Sequence, residues 1–211
     1  MRRSPVWRTV PVVGVFLAIV LVIVAVRSGH QGSAGDPDGD PVEACPAGAR
    51  CGTEQVAGLG ARKQEILAAG GTVSDLAVAM LETTAMRADR YPPGDGKTGD
   101  AANFGIFKQN WLMLRSACDR FAGQARDEYR NGSVLNDDLA ADLACLHQSR
   151  RHYGIGDWFA GQRHGATGLQ HPDTADIVGY RAAVGWIRTR LRADPTSTAD
   201  DTRYWVHVPA I

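Results

Sequence analysis

The chain has 211 residues, 44% of them hydrophobic, and its 23 basic side chains are matched by 23 acidic ones. That length suits one domain with appendages and allows a sizeable core. A formal net charge of zero argues against DNA, RNA or an acidic polymer as partner and suits a neutral substrate.

Arg2, Arg3 and Arg8 precede an apolar run from Val10 to Val26. A basic start followed by an apolar stretch is the pattern of an export signal. At 17 residues the run also reaches the lower edge of a membrane span. Gly32-Ser33-Ala34 is a poor cleavage site. Residues 1–26 are therefore expected to be a signal peptide or an N-terminal membrane anchor whose arginine-rich end stays in the cytoplasm. Either way the rest of the chain is expected to be secreted or held outside the membrane. Residues 27–46, rich in Gly, Asp, Pro and Ser, read as a flexible linker, with the folded domain over 47–211.

Cys45, Cys51, Cys118 and Cys145 are an even number in an exported chain, so disulfides are expected. Four cysteines allow three connectivities. Cys45–Cys51 and Cys118–Cys145 are favoured, the first pair sharing a loop and the second sitting on neighbouring predicted helices. There is no CxxC, and His147 and His152 complete no familiar zinc pattern. Neither a metal nor a cofactor is required.

Residues 62–69 predict a short helix ending at Gly70-Gly71, with Ser74 capping the next. From Asp75 to Met86, apolar residues occur on all sides of a helical wheel, which predicts a buried helix. Pro92-Pro93-Gly94 forces a loop. Helices are expected over 103–117 and 119–130. Leu135, Leu139, Leu143 and Leu146 form a stripe on another, opened by Asn136 or Asp137. Residues 157–169 are Gly-rich and read as irregular. Ile177, Tyr180, Val184, Ile187 and Leu191 make a clear helical face after Pro172. No convincing run of alternating strands appears. The fold class is mainly α, an α+β domain with room for a small β-hairpin.

Glu82 lies on the apolar helix, with Val78 a turn before it and Met86 a turn after. Burial disfavours a charged carboxylate, so its pKa is expected to rise, and a carboxyl still protonated near neutrality is what a general acid needs. The competing reading is a structural glutamate bonded to backbone or arginine.

Downstream stands DGKTGDAANFGIFKQNW, residues 95–111. Gly96-Lys97-Thr98 matches the end of a phosphate-binding loop, but Tyr91 occupies the first glycine position and a helix, not a strand, precedes it. An EF-hand also fails on ligand spacing. Two aspartates, Asp95 and Asp100, remain in a loop just after the Glu82 helix. Paired carboxylates across a cleft are the equipment for cleaving a glycosidic bond, although Asp-Gly and Gly-Asp are also ordinary turn sequences. Asn103, Gln109, Asn110 and Trp111 supply amides for sugar hydroxyls and a ring for a sugar face. Trp158, Phe159, Arg163 and His164 form a second such cluster. Core packing is the competing reading for each tryptophan.

Met80-Leu81-Glu82-Thr83 together with DGKTGDAANFGIFKQNW resembles glycoside hydrolase family 134, β-1,4-mannanases with a lysozyme-like fold. The resemblance continues through residues 158–166 and 203–211 and covers about 55–211. It implies endo-cleavage of linear β-1,4-mannan with inversion, Glu82 as general acid and Asp95 as general base, with Asp100 held as the other candidate base. It further implies that Lys97, Asp100, Asn103 and Asn110 line the cleft with Trp111 beneath or beside it. Gln109 and Arg163 are added as candidate binding residues. Inversion calls for carboxyl groups roughly 6.5–9.5 Å apart, leaving room for water. The expected partner is a neutral polysaccharide, not a nucleic acid, and the expected state is a monomer. Two other readings compete: a peptidoglycan-cleaving lysozyme or lytic transglycosylase, and a non-catalytic carbohydrate-binding module.

Overall fold

A computed structural model describes residues 44–209. The expected export segment and all but the end of the expected linker lie outside the described residues. Within them the protein is mainly α with small antiparallel sheets, as the sequence indicates.

A short strand, β1 (Cys51–Gln55), leads into α1 (Leu59–Ala68) and α2 (Val73–Glu82). Thr72, not Ser74, caps α2: its hydroxyl accepts from Asp75 N–H at 3.3 Å while the Asp75 carboxylate accepts from Thr72 N–H at 2.8 Å. This reciprocal box satisfies two otherwise orphaned donors. Leu76, Ala77, Val78, Ala79 and Met80 are all fully buried, so α2 runs through the core as its all-round apolar pattern requires. It ends at Glu82, one turn earlier than expected. Thr83 is already extended, and its hydroxyl donates back to Ala79 O at 3.0 Å.

The expected helix over 103–117 is half hairpin. Asn103–Phe104 (β2) pairs with Gln109–Asn110 (β3), and only Trp111–Ala117 (α3) is helical. The turn between them uses left-handed backbone at Gly105 (φ 73°) and Lys108 (φ 51°). A Cβ on Gly105 would lie 2.1 Å from the Asp142 carboxylate, so this position admits only glycine. Asn110 caps α3, its side chain accepting from Met113 N–H at 3.0 Å.

The expected helix over 119–130 is instead two 3-10 segments, Asp119–Phe121 and Arg126–Asn136. Gly123 turns the chain between them, and the Glu128 carboxylate takes the Ala125 amide at 2.6 Å. α4 (Leu139–Tyr153) opens on Asp138, whose carboxylate accepts from Ala141 N–H at 2.9 Å. Asn136, one of the expected caps, accepts from Gly105 N–H at 2.8 Å instead.

Residues 157–169 are not irregular but form most of α5 (Ile155–Gln170), interrupted only at Gly165. Its glycines serve close packing: a Cβ on Gly161 would meet Met113 Sδ at 2.5 Å. α6 (Ala175–Ala193) packs along α2 and buries the predicted face of Ile177, Tyr180, Val184, Ile187 and Leu191. Each such aliphatic side chain contributes about 1.5–3 kcal/mol on burial. The final strand, β4 (Thr202–Val206), pairs with β1 antiparallel. Lys63 on α1 pins its approach, donating to Ser197 O, Asp200 O and Thr202 O at 2.5, 2.7 and 2.7 Å.

Disulfides join Cys45 to Cys51 and Cys118 to Cys145. The second lies in a small core cluster with Phe104, Trp111, Leu114, Phe121 and Leu135, beside the main core between α2, α5 and α6.

Candidate active site

A cleft of about 510 Å³ opens where the end of α2, the 97–103 segment, the β2–β3 hairpin and the middle of α5 meet. Glu82, Lys97, Asp100, Asn103, Lys108 and Asn110 line one part of it, and Gln162 through Ala166 the other.

Glu82 is delivered to the cleft because α2 stops there. Tyr180 on α6 donates its hydroxyl hydrogen to Glu82 Oε1. Burial pushes the Glu82 carboxyl up to about 7, and the nearby Asp95 charge adds to the rise. The Tyr180 hydrogen bond and the Arg163 and Lys108 charges pull the other way. Burial outweighs them, so the carboxyl keeps its proton to near neutrality. Burial and the Glu82 charge push the Tyr180 phenol well above its ordinary value, so it remains a donor.

Asp95 sits in a tight turn after Gly94, in the left-handed region at φ 56°. Such backbone is uncommon outside glycine and costs of order 1–3 kcal/mol, and it gathers at functional sites. The Asp95 carboxylate receives Lys108 Nζ at 2.5 Å and Asn103 Nδ2 at 3.3 Å. Lys108 is only 6% exposed, and its ammonium also lies 3.4 Å from the centre of the Tyr91 ring. Burial lowers the Lys108 pKa, and the Asp95 and Glu82 charges work against that fall.

Asp100 lines the cleft, but both its oxygens are bound by Arg115, at 2.7 and 3.0 Å. Lys97 and Asn103 also line it.

Several expected binding residues are placed differently. Trp111 is fully buried; its indole N–H donates to Ala125 O at 3.0 Å, and its ring packs edge-on against Phe104 and Phe121. It belongs to the core, not the cleft, because the hairpin turns it inward at the start of α3. Gln109 is 1% exposed and spends its amide on Asp142, at 2.7 Å to the carboxylate and 2.9 Å to the carbonyl. Asn110 touches the cleft, yet its amide donates to Gly161 O at 2.7 Å and its carbonyl caps α3. Arg163 is clamped on Asp176 at 2.7 and 2.9 Å and also donates to Pro209 O. It reaches the cleft as a fixed charge near Glu82 rather than as an open hydrogen-bonding fork. Of the second aromatic cluster, Trp158 is in the core, whereas His164 lines the cleft with Nε2 2.7 Å from the same Asp176.

Sequence reasoning missed Lys108, Tyr180 and Gln162. Lys108 is a cation between Phe107 and a buried glutamine, and Tyr180 is the one polar tip in the apolar stripe of α6; both were visible signals. Gln162 binds Phe107 O and Lys108 O at 2.9 and 2.8 Å, fixing the hairpin turn against α5, and nothing local in the sequence announces it.

Among the described residues no group of three or more His, Cys, Asp or Glu converges to hold a metal ion, and no helix is long and apolar enough to cross a membrane. The arrangement can donate a proton from Glu82 and accept one at a carboxylate. Asp95 does not itself line the cleft but bonds to two residues that do, Lys108 and Asn103, and its charge acts on Glu82. The family model described as Glycosyl hydrolase family 134 matches residues 60–208. No curated protein matches the chain.

Proposed function

Because the chain belongs to glycosyl hydrolase family 134 and is a glycoside hydrolase, we propose that it is an endo-β-1,4-mannanase acting on linear mannan with inversion. Glu82 is the general acid and Asp95 the general base. The observation that carries this reading is the contrast between the two carboxyls. Glu82 is pushed up to about 7 by burial, while Asp95 is ion-paired with Lys108 at 2.5 Å. One is suited to give a proton and the other to take one.

Asp95 is preferred to Asp100 because its charge is felt by Glu82. In the reaction Glu82 protonates the leaving glycosidic oxygen. Asp95 removes a proton from a water that attacks the anomeric carbon from the opposite face. Lys97, Asn103 and His164 offer polar groups to sugar hydroxyls along the cleft walls. The enzyme works as a monomer outside the cytoplasm, its domain tethered or released through residues 27–46. The two disulfides support an oxidising location.

The test is product analysis on linear β-1,4-mannan with the anomer followed by NMR, with bacterial cell wall and chitin incubated in parallel. Appearance of the α-anomer first from mannan is expected. A β-anomer first, or cleavage of only cell wall or chitin, removes the proposal.

A further inference from the structure

Lys108 is ion-paired with Asp95 at 2.5 Å and lines the cleft that Glu82 opens into. Its backbone is held at φ 51° in the hairpin turn, with its carbonyl bound by Gln162 at 2.8 Å. The same turn is fixed from α4, where Asp142 accepts the Ile106 amide at 2.7 Å. The side chain has little freedom: Tyr91 lies under its ammonium and Asp95 on it. Yet it lines the same cleft as Glu82, and the charges of Lys108 and Glu82 act on each other. The charged or titratable groups that act on Lys108 are Asp95 and Tyr91 from the 91–95 loop, Glu82 from α2 and Asp142 from α4. Those that act on Glu82 besides Lys108 and Asp95 are Tyr180 from α6 and, as a second and stronger cation, Arg163 from α5.

Inverting hydrolysis moves a negative charge. Before reaction Glu82 carries the proton and Asp95 the charge. The glycosidic oxygen takes the Glu82 proton as its bond to the anomeric carbon breaks. Water forms the new bond and yields one proton to Asp95, the other staying on the new hydroxyl. Glu82 is now the anion and Asp95 the neutral acid, and the pair's total charge is unchanged. A proton must leave Asp95 and one must return to Glu82 before the next cycle.

We propose that Lys108 is a positioning residue whose ammonium, fixed on Asp95, offsets the one negative charge of the Glu82–Asp95 pair on whichever carboxyl it lies, holding Asp95 before hydrolysis and stabilising the Glu82 anion through space after it. This rests on the hydrolytic roles given above to the two carboxyls. It accounts for a buried, aromatic-backed lysine in a cleft suited to a neutral sugar.

NMR titration of the Glu82 carboxyl carbon in the full chain reads the coupling without substrate. Asp95→Asn is the uncharged stand-in for the protonated base. It is expected to lower the Glu82 midpoint by about one unit or more, and adding Lys108→Met is expected to cancel at least about half of that drop. Lys108→Arg in place of Met restores it. On mannan, Lys108→Met is expected to cut kcat about thirtyfold or more with KM changed less than about threefold, and Lys108→Arg to recover part of the loss. Should the methionine variants fail to fold, Lys108→Gln replaces them. Equal Glu82 midpoints with and without Lys108 in the Asp95→Asn background overturn the proposal, as does wild-type kcat in Lys108→Met. If the titrations behave as expected while the wild-type chain leaves mannan uncut, the mannanase reading falls and the Lys108 assignment stands.

Discussion

Tyr180 on α6 donates its hydroxyl hydrogen to Oε1 of Glu82, the last residue of α2. The Glu82 carboxyl is thereby oriented by the same helix pair that forms the main core. The bond lowers the Glu82 pKa against a larger rise from burial. Tyr180→Phe removes the opposing effect, so the Glu82 proton should be held to higher pH. We expect the basic limb of the pH–rate profile to move above about 7. We expect kcat to fall about tenfold and stability by only about 1 kcal/mol. A basic limb that stays in place would show that Tyr180 does not act on the acid.

Glu82 should also mark the pH dependence of stability. In the folded state its carboxyl holds a proton up to about 7, against an ordinary value of 4.5. Between those values the folded chain binds more protons than the unfolded chain, so stability falls as pH rises through that window. Asp142 is fully buried and acts with the same sign, from 3.8 up to about 7. Glu82→Gln removes one of the two contributions. It should lose turnover by roughly 10²–10⁴. The drop in Tm between pH 5 and pH 8 should be smaller than in the wild type. Thermal melts at the two pH values check this, and an unchanged drop would mean that Glu82 is not protonated in the folded protein.

The two loop aspartates should separate cleanly. Asn tolerates left-handed backbone, so Asp95→Asn should fold normally despite φ 56°. Its kcat/KM is expected to fall by about a hundredfold or more. Asp100→Asn loosens a partly exposed ion pair with Arg115, worth about 1 kcal/mol or less, and should stay within about tenfold of wild type. Comparable losses in the two variants, each with a native circular dichroism spectrum, would abolish the distinction between them.

Trp111 tests core against cleft. Trp111→Ala should cost about 3–5 kcal/mol, read as a lower denaturation midpoint at unchanged slope. Trp111→Phe should cost less and leave KM for mannan near wild type. A selective rise in KM without loss of stability would return Trp111 to the sugar-binding surface.

Elements governed by one period were legible in the chain. The all-round apolar α2, the leucine stripe of α4 and the single apolar face of α6 declare themselves because neighbours along a helix answer to the same surface. The buried carboxyl of Glu82 was legible for the same reason, as a carboxylate on a buried helix. A small hairpin was allowed for, but its place within the expected 103–117 helix was not legible. Phe104, Phe107, Trp111 and Leu114 fall at helical spacing, but the carboxylate that takes the Ile106 amide is Asp142, 36 residues further on. The pairing of β1 with β4 was equally hidden, since Gln55 meets Thr202 only across the whole domain.

The sequence by itself determined a mainly helical domain, a carboxyl on a buried apolar helix and an aspartate-bearing loop after it. Tertiary structure alone decided that Asp100 is taken by Arg115, that Trp111 turns into the core, and that Lys108 and Tyr180 reach the two carboxyls. Tyr180 meets Glu82 across 98 residues and Lys108 meets Asp95 across a hairpin turn. Periodicity reports how a residue relates to its own element. Charge pairing and desolvation depend on which other elements close over it, and those distances exist only once the chain has packed.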